Sequence, residues 1–242
     1  MSQVLSIYQS IVHDLEVAGK NSPYPADANE TDPRYKSYGV RAAGKKTIIS
    51  QHKKAIRALS QEDQMRLATK LMTSEYGEQQ SVALFILEPF SAYYTPSKIK
   101  ELEDLVRCLH GWSKVDSFTG SLLRDVLFNY PTEMIDLVRR WNKDQDMWLK
   151  RTSVVLFTRK VAKSGQFTDI ALEMCDNLIF DKEPLVLKGI GWALKDLMKS
   201  DKNRILDYIK TLRQKGVSSI VTLYAIRDLK GKERREILNN KL

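Results

Sequence analysis

Cysteine is scarce in this chain. Its 242 residues include two, Cys108 and Cys175, with no Cys-x-x-Cys and no Cys/His cluster. A disulfide scaffold and a structural zinc site are both left without support. The three histidines, His13, His52 and His110, are scattered, which argues against any histidine-based metal centre. Long hydrophobic runs are also missing. The longest clearly apolar stretch is Val82 to Leu87, far short of the roughly 20 residues that cross a bilayer. The opening residues, Met1 to Tyr8, lack the basic and apolar regions of a secretory signal. The expectation is a cytoplasmic, soluble monomer in a reducing compartment, with no membrane partner and no cofactor. Acidic residues are in deficit, 30 against 39 basic, for a net charge of +9. That imbalance favours an anionic partner, nucleic acid before a membrane surface.

What is present is ordinary for a folded protein. Hydrophobic residues make up 43% and charged residues 29%, which argues against disorder. The length corresponds to one large domain or two small ones and can bury a core without metal or disulfide staples. Apolar residues recur at spacings of three and four, as in Val115, Phe118, Leu122 and Val126, or Val186, Ile190, Leu194 and Leu197. This is the period of helix, not strand. Even the best strand candidate, Val217 to Tyr224, can be helical. Ser60 with Asp63 reads as a capping start, Thr95-Pro96 as N-cap and first helical residue, and Tyr130-Pro131 as a boundary between helices. Gly165 and Gly216 read as helix ends. The pattern predicts roughly ten to twelve helices of about 12 to 18 residues, packed as antiparallel pairs. Periodicity alone leaves open a stack of HEAT-like repeats and a compact bundle. The proline-bearing stretch Lys20 to Ser37 reads as a loop within a single domain spanning residues 1–242.

The positive charge is patterned. Arg34 to Arg57 contains eight Lys or Arg and no acid, and Arg139 to Lys163 contains eight against Asp144 and Asp146. Each could be an ordinary solvated helix face. Two such stretches in one chain favour a surface that neutralises phosphates. Tyr35 and Tyr38, interleaved with Arg34, Lys36 and Arg41, suit contact with sugar and phosphate.

Three segments carry candidate chemistry. In His110 to Phe118, Trp112 precedes Asp116 by four residues. Ser113 and Asp116 could form a capping box there, and a carboxylate in a helix's first turn would be held ionised by the helix dipole. In Asp146 to Thr152, Arg151 opens a helix, with a surface role as the plain alternative. In Lys188 to Lys195, the residues Lys188, Trp192, Lys195 and Lys199 share one face, opposite Val186, Ile190, Leu194 and Leu197. Gly189 and Gly191 inside that helix each cost about 1 kcal/mol relative to alanine. They make sense if something approaches the backbone closely there.

Trp-x-x-Val-Asp-Ser at 112–117, Trp-Leu-x-Arg at 148–151 and Ile-Gly-Trp-x-Leu at 190–194 resemble, in order and spacing, the signature of the AlkD-like DNA alkylation repair glycosylases. The likeness runs from about residue 100 to 210, with a looser similarity at Arg34-Tyr35 and Gly39-Val40. The resemblance implies an all-α, right-handed solenoid of HEAT-like repeats whose concave basic face holds duplex DNA. It also implies excision of cationic N3- and N7-alkylated purines. Asp116 matches the catalytic carboxylate, Trp112 and Trp192 the two aromatics flanking the deoxyribose, and Arg151 a phosphate-binding arginine. Tyr35 matches a residue touching the DNA backbone, and Arg34, Lys188 and Lys195 supply further DNA-facing charge. The chain departs from the family pattern at Ser113-Lys114, which leaves the range of lesions open. The chemistry suits these residue types. An alkylated purine is already a cationic leaving group, so no general acid is needed and one carboxylate suffices. Two other readings stay open: a non-catalytic relative that binds branched or distorted DNA, and a protein-interaction scaffold.

Overall fold

A computed structural model describes residues 3–22 and 32–239. Half of the proline-bearing stretch, including Pro23 and Pro25, lies outside them. Among the described residues the chain is helical, and the single β-bridge joins Lys36 to Tyr76. It forms two compact units, Met1–Leu122 and Leu123–Leu242.

The first unit is built from α1 (Gln3–Lys20), α2 (Ala42–Ala58), α3 (Gln61–Met72), α4 (Gly77–Leu87), a 3-10 turn at Glu88–Tyr93, α5 (Glu101–Cys108) and α6 (Trp112–Phe118). Helix α4 is its centre and packs against α1, α2, α3 and α6. Its apolar residues Val82, Ile86 and Leu87 are buried with Leu67 and Leu71 of α3 and Ile11 and Leu15 of α1. The Ser60 hydroxyl accepts from the Asp63 N–H and caps α3 as its sequence predicts. Thr95-Pro96 instead begins an irregular turn, and α5 starts only at Glu101.

The second unit holds α7 (Arg124–Asn129), α8 (Pro131–Asn142), α9 (Met147–Val155), α10 (Arg159–Ser164), α11 (Thr168–Leu178), α12 (Pro184–Leu197), α13 (Lys202–Gln214), α14 (Ser219–Ala225) and α15 (Gly231–Asn239). Successive pairs stack, α8 on α9, α9 on α12 and α12 on α14. Trp141, Trp148 and Phe157 fill the interior. Pro131 occupies the first turn of α8, where its missing N–H costs nothing. Gly165 and Gly216 take positive φ values of 70° and 68° just past α10 and α13. The strand candidate at 217–224 is largely helix α14.

The helices are shorter and more numerous than their periodicity predicts. Helices α6, α7, α10 and α14 have only 7, 6, 6 and 7 residues. One apolar stripe passes through α6 and α7, but a π-helical turn at Thr119–Leu123 separates them. The apolar spacings Val115–Phe118–Leu122–Val126 of three and four run on across this wider turn, so the sequence period does not register the break.

Candidate functional site

Helix α6 begins at Trp112 because Gly111 before it adopts φ 100°, ψ 137°, a conformation that L side chains rarely take. The turn leading into it is held from inside. The fully buried Gln80 side chain donates to the Cys108 carbonyl at 2.6 Å and accepts from the His110 N–H at 3.2 Å. The capping box expected at Ser113 and Asp116 does not form. Ser113 lies inside the helix, no side chain caps α6, and Asp116 falls in its second turn. The two residues that matter are four apart and therefore on one helical face. Trp112 is 46% exposed, whereas Asp116 is 6% exposed. A large aromatic surface thus stands beside a carboxylate largely withdrawn from water.

The segment around Tyr35 is fixed to the start of α4. Lys36 bridges to Tyr76, Tyr38 stacks on Tyr76 with centroids 4.0 Å apart, and the buried Glu78 carboxylate accepts from the Ser37 hydroxyl and the Val40 N–H. Tyr35 is joined to α6 by Lys114, whose ammonium donates to the Tyr35 hydroxyl at 3.1 Å and lies 4.3 Å from its ring centre. Gly77 makes room for that pair, since a Cβ there would come within 2.6 Å of the Lys114 Nζ. Tyr35 and Trp112 line the same depression of about 280 Å³. Arg34 is exposed but grips Asp32 through two of its nitrogens, with Nη2 at 2.7 Å from Oδ2. Its charge is compensated, so it is a weaker phosphate ligand than the sequence pattern predicts.

In the second unit, Asp146 caps α9 by accepting from the Trp148 N–H at 2.7 Å, so Arg151 sits mid-helix and does not open it. Neither is it a surface residue. It is 4% exposed, and its guanidinium donates to the Leu185 carbonyl at the start of α12. On α12, Lys188 is exposed and Trp192 half-buried. Lys195, expected to face DNA, is engaged by Asp196 at 3.0 Å and Asp228 at 3.3 Å. Its side chain is largely buried, and its charge is compensated by these two carboxylates. The two glycines of α12 serve helix packing. A Cβ on Gly191 would lie 2.8 Å from the Val221 carbonyl of α14, and one on Gly189 would lie 3.1 Å from the methyls of Val154 and Val155.

Two residues not singled out by the sequence complete this half. Arg159 has φ 53°, the single positive φ among described non-glycine residues. Its N–H donates to Asp196 at 2.8 Å, and its guanidinium lies over the Trp192 ring. Asp196 is 1% exposed and also accepts from Lys199 at 2.8 Å. Burial pushes its carboxyl up, but Lys199, the Arg159 amide and Lys195 together outweigh burial and hold it below the ordinary aspartate value. The spacing Lys195-Asp196-x-x-Lys199 was the available signal for this cluster.

Both cysteines are free thiols, and burial pushes each above its usual value. Among the described residues no group of His, Cys, Asp and Glu is placed to hold a metal ion, and no helix is long and apolar enough to cross a membrane.

A family model described as DNA alkylation repair enzyme matches residues 25–229. No curated protein sequence matches the chain. A solved structure described as a predicted DNA alkylation repair enzyme from Enterococcus faecalis is similar in fold. The match has a TM-score of 0.69 and 14% identity, and covers 91% of this chain and 95% of that one.

Proposed function

Because the chain belongs to the DNA alkylation repair enzyme family, we propose that it is a monofunctional DNA glycosylase that hydrolyses the N-glycosidic bond of cationic N3- and N7-alkylated purines in duplex DNA. The observation that carries this reading is the pairing on α6 of exposed Trp112 with buried Asp116. A pure DNA binder gains nothing from a carboxylate at a phosphate-facing surface.

Alkylation gives the purine a positive charge, so it departs without being protonated. As the bond to the sugar lengthens, positive charge moves onto the deoxyribose, as in glycoside hydrolysis. In this reading Asp116 stabilises that charge and orients the attacking water, whose proton passes to the carboxylate and on to solvent as the new C–O bond forms. Low exposure strengthens the effect, because fewer water dipoles screen the carboxylate. The indoles of Trp112 and Trp192 are assigned to the sugar and attract its cationic form by about 0.5–2 kcal/mol each. Arg151, Lys188 and Tyr35 are assigned to the DNA backbone.

The test is release of 7-methylguanine from methylated duplex DNA, comparing wild type with Asp116→Asn. The reading expects release by the wild type and its near-complete loss in the variant, with both proteins binding the duplex. Binding without release by the wild type would favour the non-catalytic alternative.

A further inference from the structure

Beside the Trp112 depression the first unit carries a second groove, of about 540 Å³, between α2, α4 and α6. The geometry points to this groove, which shares Ala42, Lys45, Ser113 and Lys114 with that depression, as a further binding site for one unpaired nucleotide of the bound DNA. The inference rests on the reading of DNA as the partner, not on excision.

The groove is built as a stripe. Lys45, Ile49 and Lys53 follow one another at intervals of four on α2, so they share a face. At 1.5 Å per residue the two lysines stand about 12 Å apart along the axis, with Ile49 between them. From α4, Leu84 and Phe85 complete an apolar floor, and Ser81 adds a hydroxyl. Ser81 donates its proton to the Gly77 carbonyl, which leaves its oxygen as an acceptor. The Phe85 ring already carries the Arg57 guanidinium, whose carbon is 5.0 Å from the ring centre.

Charge identifies the occupant. Helix α2 contains no acidic residue. Among the described residues no carboxylate pairs with Lys45 or Lys53, although Lys36, Lys150, Lys195 and Lys199 are all paired elsewhere. Two uncompensated ammonium groups at the ends of an apolar floor call for a ligand with an anionic group and a flat apolar body. Hydroxyls on the wall call for a hydrogen-bonding edge on that body. A nucleotide has all three: phosphate for lysine, a base face for Phe85 and Ile49, and base edges for serine. Stacking on an aromatic side chain tolerates any base, as single-strand binding platforms do. A base paired within the helix cannot present its face, so the site would select nucleotides that have left the stack.

The experiment compares two duplexes of equal length, one fully paired and one with a single unpaired purine, by fluorescence anisotropy. The wild type is expected to bind the second about tenfold more tightly, the scale of one base stacked on a side chain. Ser50→Trp fills the groove from an exposed position on α2. It should abolish the preference while leaving the paired duplex bound within about twofold. Lys45→Gln with Lys53→Gln should shrink the preference and flatten its salt dependence. Equal binding of the two duplexes by the wild type, or an undiminished preference in Ser50→Trp, overturns the inference. Neither result bears on excision, which the Asp116→Asn comparison decides separately.

Discussion

The guanidinium of Arg159 lies over the indole of Trp192, its carbon 4.8 Å from the ring centre. One face of an aromatic assigned to a cationic sugar is thus already taken by a cation. The arginine is held there by its backbone, whose left-handed conformation is secured by the Asp196 carboxylate. Arg159→Ala should therefore disturb Trp192 more than an ordinary surface change would. Excision is expected to fall several-fold, with a smaller loss in plain-duplex affinity. Trp192→Phe should retain more activity than Trp192→Ala. Because Trp192 is only half-buried, the alanine variant should lose roughly 1–2 kcal/mol of stability, less than the 3–5 of a fully buried indole. A thermal melt run beside the excision assay measures both, and a loss on the fully buried scale would return Trp192 to the core.

Asp196 sets a pH dependence. Its carboxyl is held below its ordinary value in the folded protein. The folded state therefore binds its proton less readily than the unfolded state does. Its contribution is complete above the unfolded value of about 4 and is lost as pH falls through the folded value. Urea unfolding between pH 5 and pH 3 should show the wild type losing stability more steeply than Asp196→Asn. Parallel pH profiles would mean that the three donors around this carboxylate contribute nothing net.

Arg151, proposed to meet a phosphate, is also anchored to the Leu185 carbonyl. Removing its side chain takes away a candidate phosphate contact and also leaves the Leu185 carbonyl without that donor. Arg151→Ala should weaken binding to lesion and plain DNA by similar factors. It should also cost about 1–3 kcal/mol of stability, the penalty for a disrupted buried hydrogen bond. Arg151→Lys, which keeps the charge, should recover part of the DNA affinity. Wild-type melting with reduced binding would assign the residue to DNA alone.

Binding of undamaged duplex should weaken steeply with salt, by about 0.9 in log–log slope per neutralised phosphate. The structure sharpens which residues contribute. Arg139 and Lys150 of the second basic stretch pair with Glu173 and Asp181. The lysines at 45 and 53 have no such partner among the described residues. Neutralising the α2 pair should reduce the slope more than neutralising Arg139 and Lys150. An equal reduction would show that paired and unpaired cations meet phosphate alike.

Several local features were legible in the sequence, although the Thr95-Pro96 helix start and the Ser113–Asp116 capping box do not form. Long-range features were not legible. The Ser60 cap, the Tyr130-Pro131 boundary and the ends at Gly165 and Gly216 each depend on a residue's own backbone preferences or on a neighbour within four positions. The same locality made Trp112 and Asp116 visible as one face. Arg34 and Lys195 have acids within two positions, Asp32 and Asp196, but adjacency alone does not announce an ion pair. Lys195 and Arg151 also have partners distant in the chain. Asp228 is 33 residues from Lys195, and Leu185 is 34 from Arg151. Nothing in Thr-Arg-Lys at 158–160 announces a left-handed arginine. The buried carboxylate supplied by α12 holds that conformation through the Arg159 N–H.

The glycines of α12 give the sharpest test of packing against DNA approach. Helix propensity alone predicts that alanine at either position stabilises the protein by about 1 kcal/mol. The surroundings reverse this at Gly191, where a Cβ would press on the Val221 carbonyl at 2.8 Å and the Tyr224 Cβ at 2.7 Å. A backbone atom cannot step aside as a side-chain tip can, and overpacking of this kind typically costs 1–3 kcal/mol. Gly191→Ala should therefore lower stability by roughly 1–2 kcal/mol and loosen α14 from α12. At Gly189 the neighbours are valine methyls at 3.1 Å, which can yield by a few tenths of an ångström. The gain in propensity and the strain then nearly cancel, and Gly189→Ala should melt within about 0.5 kcal/mol of the wild type. If both variants melt like the wild type but lose DNA binding, then DNA, not α9 and α14, is what approaches this backbone.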